Sequence, residues 1–387
     1  MRSVIVGGGV VGASTAYWLS RRAGVDVLVL EQDPTYATAS TTLSAASIRQ
    51  QFSTPANIRL SQFGLELLRT APERLGVDPQ LKERGYLLLA GDAGRDILAD
   101  NVSIQAAAGA QTALFTPDEL EARFPWFCAA GLSAGALGLS GEGWFDPSAL
   151  LQGFKDKSKR QGAQWRTAEA DGFEMAGGKI RQVRLRSGET IDADEVVNAA
   201  GPRAAKVAAW AGLSLPVEAR ARSVFYFECR DGVEISRTAP LTVDPSGVYF
   251  RPEGAGFICG VSPPAERDPS CDPSETPAVD WDRFEEIIWP TLAARVPAFE
   301  AIKVQSAWAG YYAYNTLDQN ALIGRLPECA NLWFANGFSG HGLQQAAGVG
   351  RGLAELIADG AYQTLDLSVF DAERVLDGRA VIERNVI

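Results

Sequence analysis

A single histidine, His341, stands in the 387-residue chain. Without a second imidazole no histidine cluster can hold a catalytic metal, and any Ser-His-Asp or Cys-His site would have to be built at this one position. Cysteine is nearly as sparse: Cys128, Cys229, Cys259, Cys271 and Cys329 are widely spaced, with no C-x-x-C. That pattern excludes a zinc ribbon and a disulfide scaffold, and the odd count fits a reducing compartment. Lysine supplies only seven of the 36 basic residues, against 47 acidic ones and a net charge of −11. A basic face for nucleic acid or for anionic lipid is therefore not expected. No stretch reaches the ~18 uncharged apolar residues of a membrane span. The apolar run Val4–Leu19 imitates a leader peptide, but Gly7, Gly8, Gly9 and Gly12 interrupt it. The expectation is a cytoplasmic, metal-free protein without an integral membrane segment.

What is present is an ordinary globular composition, 46% apolar and 21% charged, in a chain long enough for two packed domains. Val4-Ile5-Val6 reads as a strand buried on both faces, Ala13 to Arg22 as a helix, and Val25 to Leu30 as a second strand stopping at Glu31: a βαβ unit in some thirty residues. Thr54-Pro55 opens a helix to about Thr70, and Tyr86 to Ala90 a strand. Residues 91–122 read as alanine-rich helix and loop. A helix runs from about Pro147 to Arg160. Strands follow near Gln164–Ala170, Lys179–Arg186 and Val196–Ala200, then at Ser223–Cys229, Gly247–Pro252 and Phe257–Val261. Residues 263–280 form a Pro/Asp/Ser loop, and Leu332–Ala335 a buried strand before a last, small-residue helix. The expected fold is α/β: a discontinuous Rossmann-type domain in residues 1–80, 141–215 and 319–387, with a mixed α+β substrate domain inserted as residues 81–140 and 216–318.

Gly7-x-Gly9-x-x-Gly12, between strand and helix, carries a specific physics. Gly7 permits the tight turn, Gly9 lets the backbone approach a pyrophosphate, and Gly12 allows close helix–strand packing. The helix N-terminus, at Val10 and Val11, offers unpaired N–H groups to phosphate. Glu31, followed by Gln32, can accept hydrogen bonds from a ribose diol and disfavours a 2′-phosphate. A dinucleotide is the reading preferred over a plain glycine turn. An NAD enzyme would continue in regular βα units, whereas this chain enters a Ser/Thr-rich loop and then strands.

Val196-Val197-Asn198-Ala199-Ala200-Gly201-Pro202 and the segment Asn336–Gly352, taken with the glycine turn, resemble the D-amino-acid oxidase and sarcosine oxidase superfamily of FAD enzymes. Ile48-Arg49-Gln50-Gln51-Phe52-Ser53, Trp308 to Asn320 and Gly337 to Gln345 look most like its branch of FAD-dependent oxidoreductase domain-containing proteins. The resemblance covers essentially the whole chain. It implies that Gly9, Gly12, Glu31, the loop with Ser40 and Thr41, and Ser47 hold FAD. Ala170 would meet the adenine through its backbone and Ala200-Gly201 would lie beside the phosphates. Gly337, Ser339, Gly340, His341, Gly342, Leu343 and Gln344 would run under the flavin ring. Glycine-freed N–H groups at a helix start suit the negative charge that reduction leaves there. His341 is read as shaping this loop, not as carrying a proton.

The same resemblance implies an amine substrate on the flavin face, its carboxylate held by arginine, whose fork pairs both oxygens. Arg222 and Tyr249 are the first candidates, with Arg49, Arg251, Tyr312 and Gln344 completing the set. Tyr311 and Tyr312 stand where sarcosine oxidases carry a flavin-linked cysteine, so the FAD is expected to be non-covalent. Uncharged Ile258 and Gln344 stand near positions of lysines in those oxidases. The expected activity is oxidation of the CH–NH bond of a small amino acid, N-methyl amino acid or opine-like amine, by a dehydrogenase more than an oxidase, with a quinone or electron-transfer partner as acceptor. The alternatives are a flavoprotein acting as a binding or assembly partner, and an NAD(P) dehydrogenase.

Overall fold

The computed structural model describes residues 1–384. Arg2–Val6 is a strand, Val10–Leu19 a helix and Asp26–Glu31 a second strand, parallel to the first. The helix begins three residues earlier than the sequence suggests, directly after Gly9, and ends at Leu19. Six strands make the central sheet, in the order Leu322–Arg325, Leu332–Asn336, Glu195–Asn198, Arg2–Val6, Asp26–Glu31 and Gln164–Thr167. All neighbours are parallel except the first pair. Alternating side chains fill both faces, as the two-residue period requires. Ile5, Val27 and Val29 pack under the helices Val10–Leu19, Pro55–Arg69, Pro147–Arg160 and Gly342–Asp359. Val4, Val6, Leu28 and Leu30 pack against Phe173, Ile180 and Val183 of a three-stranded antiparallel sheet. The strand expected to run from Gln164 through Ala170 is two elements, Gln164–Thr167 and Ala170–Ala176, divided by the change of sheet.

A second sheet has eight strands, all drawn from residues 86–138 and 217–315. Its backbone is the antiparallel pair Val217–Cys229 and Ile302–Asn315. The first begins well before the expected start at Ser223, because charged residues such as Arg220 and Arg222 interrupt the apolar pattern, and the second is one for which the sequence pattern sets no bounds. Within residues 91–122 the sheet also takes an edge strand, Thr112–Phe115, that the alanine-rich composition hides. One face is an aromatic core of Phe225, Phe227, Phe250, Phe257 and Phe299, closed by residues 281–295. Directly opposed residues of antiparallel strands share a face. Tyr249 pairs Gly260, which pairs Val224, and Arg222 and Arg220 pair Gly310 and Tyr312. The opposite face therefore presents Arg222, Tyr249, Arg251 and Tyr312 together.

The helix Pro55–Arg69 starts as expected, with Thr54 before it, but Thr54 makes no side-chain cap. The Glu383 carboxylate instead ties down the approach to the helix, accepting from the Ser53 N–H and hydroxyl, the Thr54 hydroxyl and the Asn57 side-chain amide. No helix among the described residues is long and apolar enough to cross a membrane.

Candidate active site

The carboxyl ends of four of the five parallel strands lead into the loops around Gly7–Gly9, Glu31–Gln32, Ala199–Gly201 and Gly337–His341. Open α/β sheets bind ligands at this edge. Gly7 sits at φ +102°, and a side chain there would meet the Ala199 carbonyl at 2.4 Å. A side chain on Gly12 would meet the Gly7 carbonyl at 2.0 Å, so both glycines are required by the protein itself. Gly9 is different. Its φ is −61°, and an added Cβ meets only the Thr41 hydroxyl, at 3.5 Å. The protein leaves a cradle above Gly9 that its own packing does not need, and this is the observation that fits a pyrophosphate.

The surrounding groups agree. Thr41 accepts the Val10 N–H at 3.1 Å, while Val11 and Gly12 lie in the first helical turn, where amides lack intrahelical acceptors. Glu31 is fixed by the Gly8 and Asp33 N–H groups, each at 2.8 Å, and keeps lone pairs for a diol. Gln32 is exposed just beyond it. Ser40 turns elsewhere, donating to the Tyr311 carbonyl at 2.6 Å. Ala170 begins its strand, half-buried, and Ala200 and Gly201 are half-buried in the turn after Asn198. If, as the resemblance to sarcosine oxidases implies, Tyr311 and Tyr312 stand where a thiol link would form, acid precipitation should leave all the colour of a bound flavin in the supernatant. Flavin retained in the pellet contradicts that.

The turn Gly337–His341 is docked on the long strand pair: Ser339 donates its N–H to Ala313, and its hydroxyl accepts from the Asn315 N–H, both at 2.9 Å. Gly340, at φ +98°, lies so close to Tyr312 that a Cβ would meet the ring at 2.6 Å. Gly340→Ala should therefore both strain the turn, at about 1–3 kcal/mol, and displace Tyr312. Denaturant unfolding and carboxylate titration of the variant check this; unchanged stability and affinity would contradict it. Gly342, Leu343 and Gln344 form the first turn of the last helix.

Arg49 is the centre of the cluster. It is 7% exposed, its N–H is held by the Gln344 side chain at 2.9 Å, and its guanidinium donates to His341 Nε2 at 3.1 Å. The ring of Phe52 lies 4.7 Å below and that of Tyr86 5.6 Å away. Because arginine only donates, His341 Nε2 is an acceptor and its proton is on Nδ1. Burial, with the Arg49 charge added, lowers the His341 pKa to about 3, so the imidazole is neutral. Tyr86, Tyr249 and Tyr312 surround the same space, each with its pKa raised chiefly by burial. All three, with His341, remain partly exposed, which marks the open side of the site. Ser47 lies beside Tyr86 on a short strand paired with Gly143–Trp144.

The other two arginines are occupied. Arg222 stacks on Tyr312 and closes its fork on Asp268 at 2.7 and 2.8 Å. Arg251 bonds the Ala45 and Pro252 carbonyls and pairs with Glu253. Arg49 makes no ion pair among the described residues. Sequence reasoning missed Asp268, Tyr86 and the buried Glu142, which reaches the Arg49 loop through the Gln50 N–H and Gln51 amide at 2.6 and 2.7 Å. An acid flanked by two glycines in Gly141-Glu142-Gly143 was the signal available for the last of these. Among the described residues no group of three or more His, Cys, Asp or Glu could hold a metal ion.

Residues 2–356 match the family model described as DAO, FAD dependent oxidoreductase. The chain is 43% identical to "FAD-dependent oxidoreductase domain-containing protein 1" of Xenopus laevis, over 99% of this chain and 84% of that one. It is 27% identical to "4-methylaminobutanoate oxidase (formaldehyde-forming)" of Paenarthrobacter nicotinovorans, covering 97% of this chain and 45% of that protein. Among solved structures, L-proline dehydrogenase from P. horikoshii superposes with a TM-score of 0.87 at 28% identity, covering 98% of this chain and 99% of that one.

Proposed function

The chain belongs to the DAO family of FAD-dependent oxidoreductases, and from that premise we propose that it oxidises the CH–NH bond of a small amino acid, N-methyl amino acid or opine-like amine. The observation that carries this reading is Arg49: a buried guanidinium with no carboxylate partner among the described residues, ringed by three neutral tyrosines beside the Gly337–Gln344 turn. A desolvated arginine fork suits a substrate carboxylate. We assign that role to Arg49 in preference to Arg222 and Arg251, whose forks are already paired. The relatives named for proline and for 4-methylaminobutanoate act on substrates that combine a carboxylate with a secondary amine. We take residues 81–140 and 216–318 as the substrate domain and the remainder as the FAD-binding domain.

Bound FAD supplies the hydride acceptor. The protein contributes binding and orientation. Arg49 fixes the carboxylate, and the tyrosine hydroxyls, un-ionised at neutral pH, donate hydrogen bonds around the amine-bearing carbon. His341 is neutral with its Nε2 already bonded, so it holds Arg49 and takes no proton. The amine therefore enters as the free base, and catalysis rests on positioning.

The test is anaerobic bleaching of the yellow protein by a panel of amino acids, N-methyl amino acids and their decarboxylated counterparts. Carboxylate-bearing amines should bleach it and decarboxylated ones should not. Failure of every amine would favour a binding or assembly role. Reoxidation by air should be slow compared with a quinone or dichlorophenolindophenol. Electron passage to oxygen makes an anion that a nearby cation stabilises, and a unit charge ~4 Å away at effective ε near 20 contributes on the order of 4 kcal/mol. The cluster contains no lysine, and a bound carboxylate neutralises Arg49. Rapid reoxidation with stoichiometric peroxide would overturn the dehydrogenase reading.

A further inference from the structure

Glu142 is a buried acid that the proposed chemistry leaves unused. It is 1% exposed, yet its hydrogen-bond donors among the described residues are all uncharged: the Gln50 N–H, the Gln51 side-chain amide and the Gln51 N–H. It makes no ion pair among the described residues. A carboxylate removed from water without a cation in contact is costly to keep ionised. The fold nonetheless makes room for it: a side chain on Gly138 would lie 1.8 Å from Glu142 Oε2. The paired strands also aim it. Ser47 opposes Trp144 and Ile48 opposes Gly143, so one step further in that register sets Arg49 opposite Glu142. The charged or titratable groups facing it are Arg49 from the loop after Ile48 and Tyr86 from the neighbouring strand. The Arg69–Glu83 ion pair lies beyond Gly141, through the Gly141 N–H. His341 is in contact with Arg49, and Tyr312 also faces it.

We propose that Glu142 sets the charge of the Arg49 pocket, so that a carboxylate ligand binds with uptake of a proton from solvent onto Glu142. The inference rests on the assignment of Arg49 as carboxylate anchor. With Glu142 protonated the pocket carries the full arginine charge. With Glu142 ionised, arginine and acid offset one another, and an incoming carboxylate meets a second negative charge. Binding of an anion in turn favours the protonated acid, by linkage. Burial pushes the Glu142 carboxyl up to about 7 against the lowering effect of its hydrogen bonds and of Arg49. The crossover therefore falls at neutral pH, with carboxylates held tightly below it and weakly above.

The experiment uses the FAD-loaded protein and a carboxylate without an oxidisable amine, 2-furoate, with 2-furamide as its uncharged counterpart. The flavin absorbance change gives Kd between pH 5.5 and 9. For 2-furoate, Kd should rise by roughly tenfold or more across a midpoint near neutrality, the effect of one added charge several ångströms away. Glu142→Gln should remove the midpoint and stay at the tight, low-pH limit, while 2-furamide should show no midpoint in either protein. Calorimetry of the wild-type protein in buffers of different ionisation enthalpy needs no variant: near pH 7 it should show proton uptake of a sizeable fraction of one per site. Binding of 2-furoate with a flat pH profile and no proton uptake overturns the role of Glu142 and leaves Arg49 standing. No binding of 2-furoate at any pH overturns the Arg49 assignment, and this inference with it.

Discussion

Arg49→Ala should purify yellow and folded, yet saturate with carboxylate substrates only at concentrations roughly 30- to 5,000-fold higher, corresponding to about 2–5 kcal/mol for losing one partner of a desolvated charge pair. The guanidinium lies over Phe52, beside Tyr86, and is shielded from water, so bulk solvent cannot replace it. Arg49→Lys should recover part of the affinity, because a point charge remains while the bidentate fork is lost. An amide analogue of the substrate should be nearly indifferent to both changes. Steady-state KM values with the carboxylate and amide pair, alongside FAD content, check this. Equal loss for both ligands would mean that Arg49 only props up the loop of Gln50 and Gln51. Unchanged kinetics would return the carboxylate to Arg222, with Asp268 displaced.

Gly9→Ala should give a colourless protein with the native fold. The methyl group has room in the polypeptide, its nearest neighbour being the Thr41 hydroxyl at 3.5 Å, so the penalty falls on the cofactor alone. Gly12→Ala provides the contrast. Its methyl would sit 2.0 Å from the Gly7 carbonyl, so helix and strand must part and the fold itself suffers. Circular dichroism and flavin content separate the two: Gly9→Ala keeps its spectrum and loses FAD, whereas Gly12→Ala loses stability as well. Heat should unfold Gly9→Ala at the temperature of FAD-stripped wild type, since the holoprotein's extra stability is that of ligand linkage. A Gly9→Ala protein that retains a full complement of FAD overturns the placement of the pyrophosphate.

What could be read from sequence was what is local. The strand, glycine turn, helix and acidic strand end of residues 2–31 are set by neighbours in the chain, and they stand where the spacing puts them, apart from the helix start at Val10. The last helix, Gly342–Asp359, follows from small residues and its Gly360 stop in the left-handed region. The long strands Val217–Cys229 and Ile302–Asn315 were legible only in part, because their second face points at the active site and carries arginine and tyrosine in place of apolar residues. The site divides in the same way. Arg49 and the Gly337–Gln344 turn lie in continuous motifs. The groups that decide what each arginine can do come from far away: Asp268 reaches Arg222 across 46 positions, and the bond from Gln50 to Glu142 spans 92. Such partners leave no periodic trace, and their identity rests on strand pairing that a single sequence does not display.

The clamp that Glu383 places on Ser53 and Thr54 has a consequence for how the molecule comes into being. The residues leading into the helix Pro55–Arg69, only a few positions beyond Arg49, are held by a carboxylate some 330 positions downstream. Asn57 ties the same spot to Asn320 and to Gln345. Ribosomes release the N-terminal βαβ unit early, and it can form while synthesis continues. The arginine pocket cannot, because its retaining bonds wait for residues translated nearly three hundred positions later, Gln344 and His341. The cofactor site and the arginine pocket are thus both completed well after the βαβ unit that begins them, since each also needs the turn Gly337–His341. A chain synthesised only as far as that unit holds a glycine turn with neither its facing loops nor the arginine pocket.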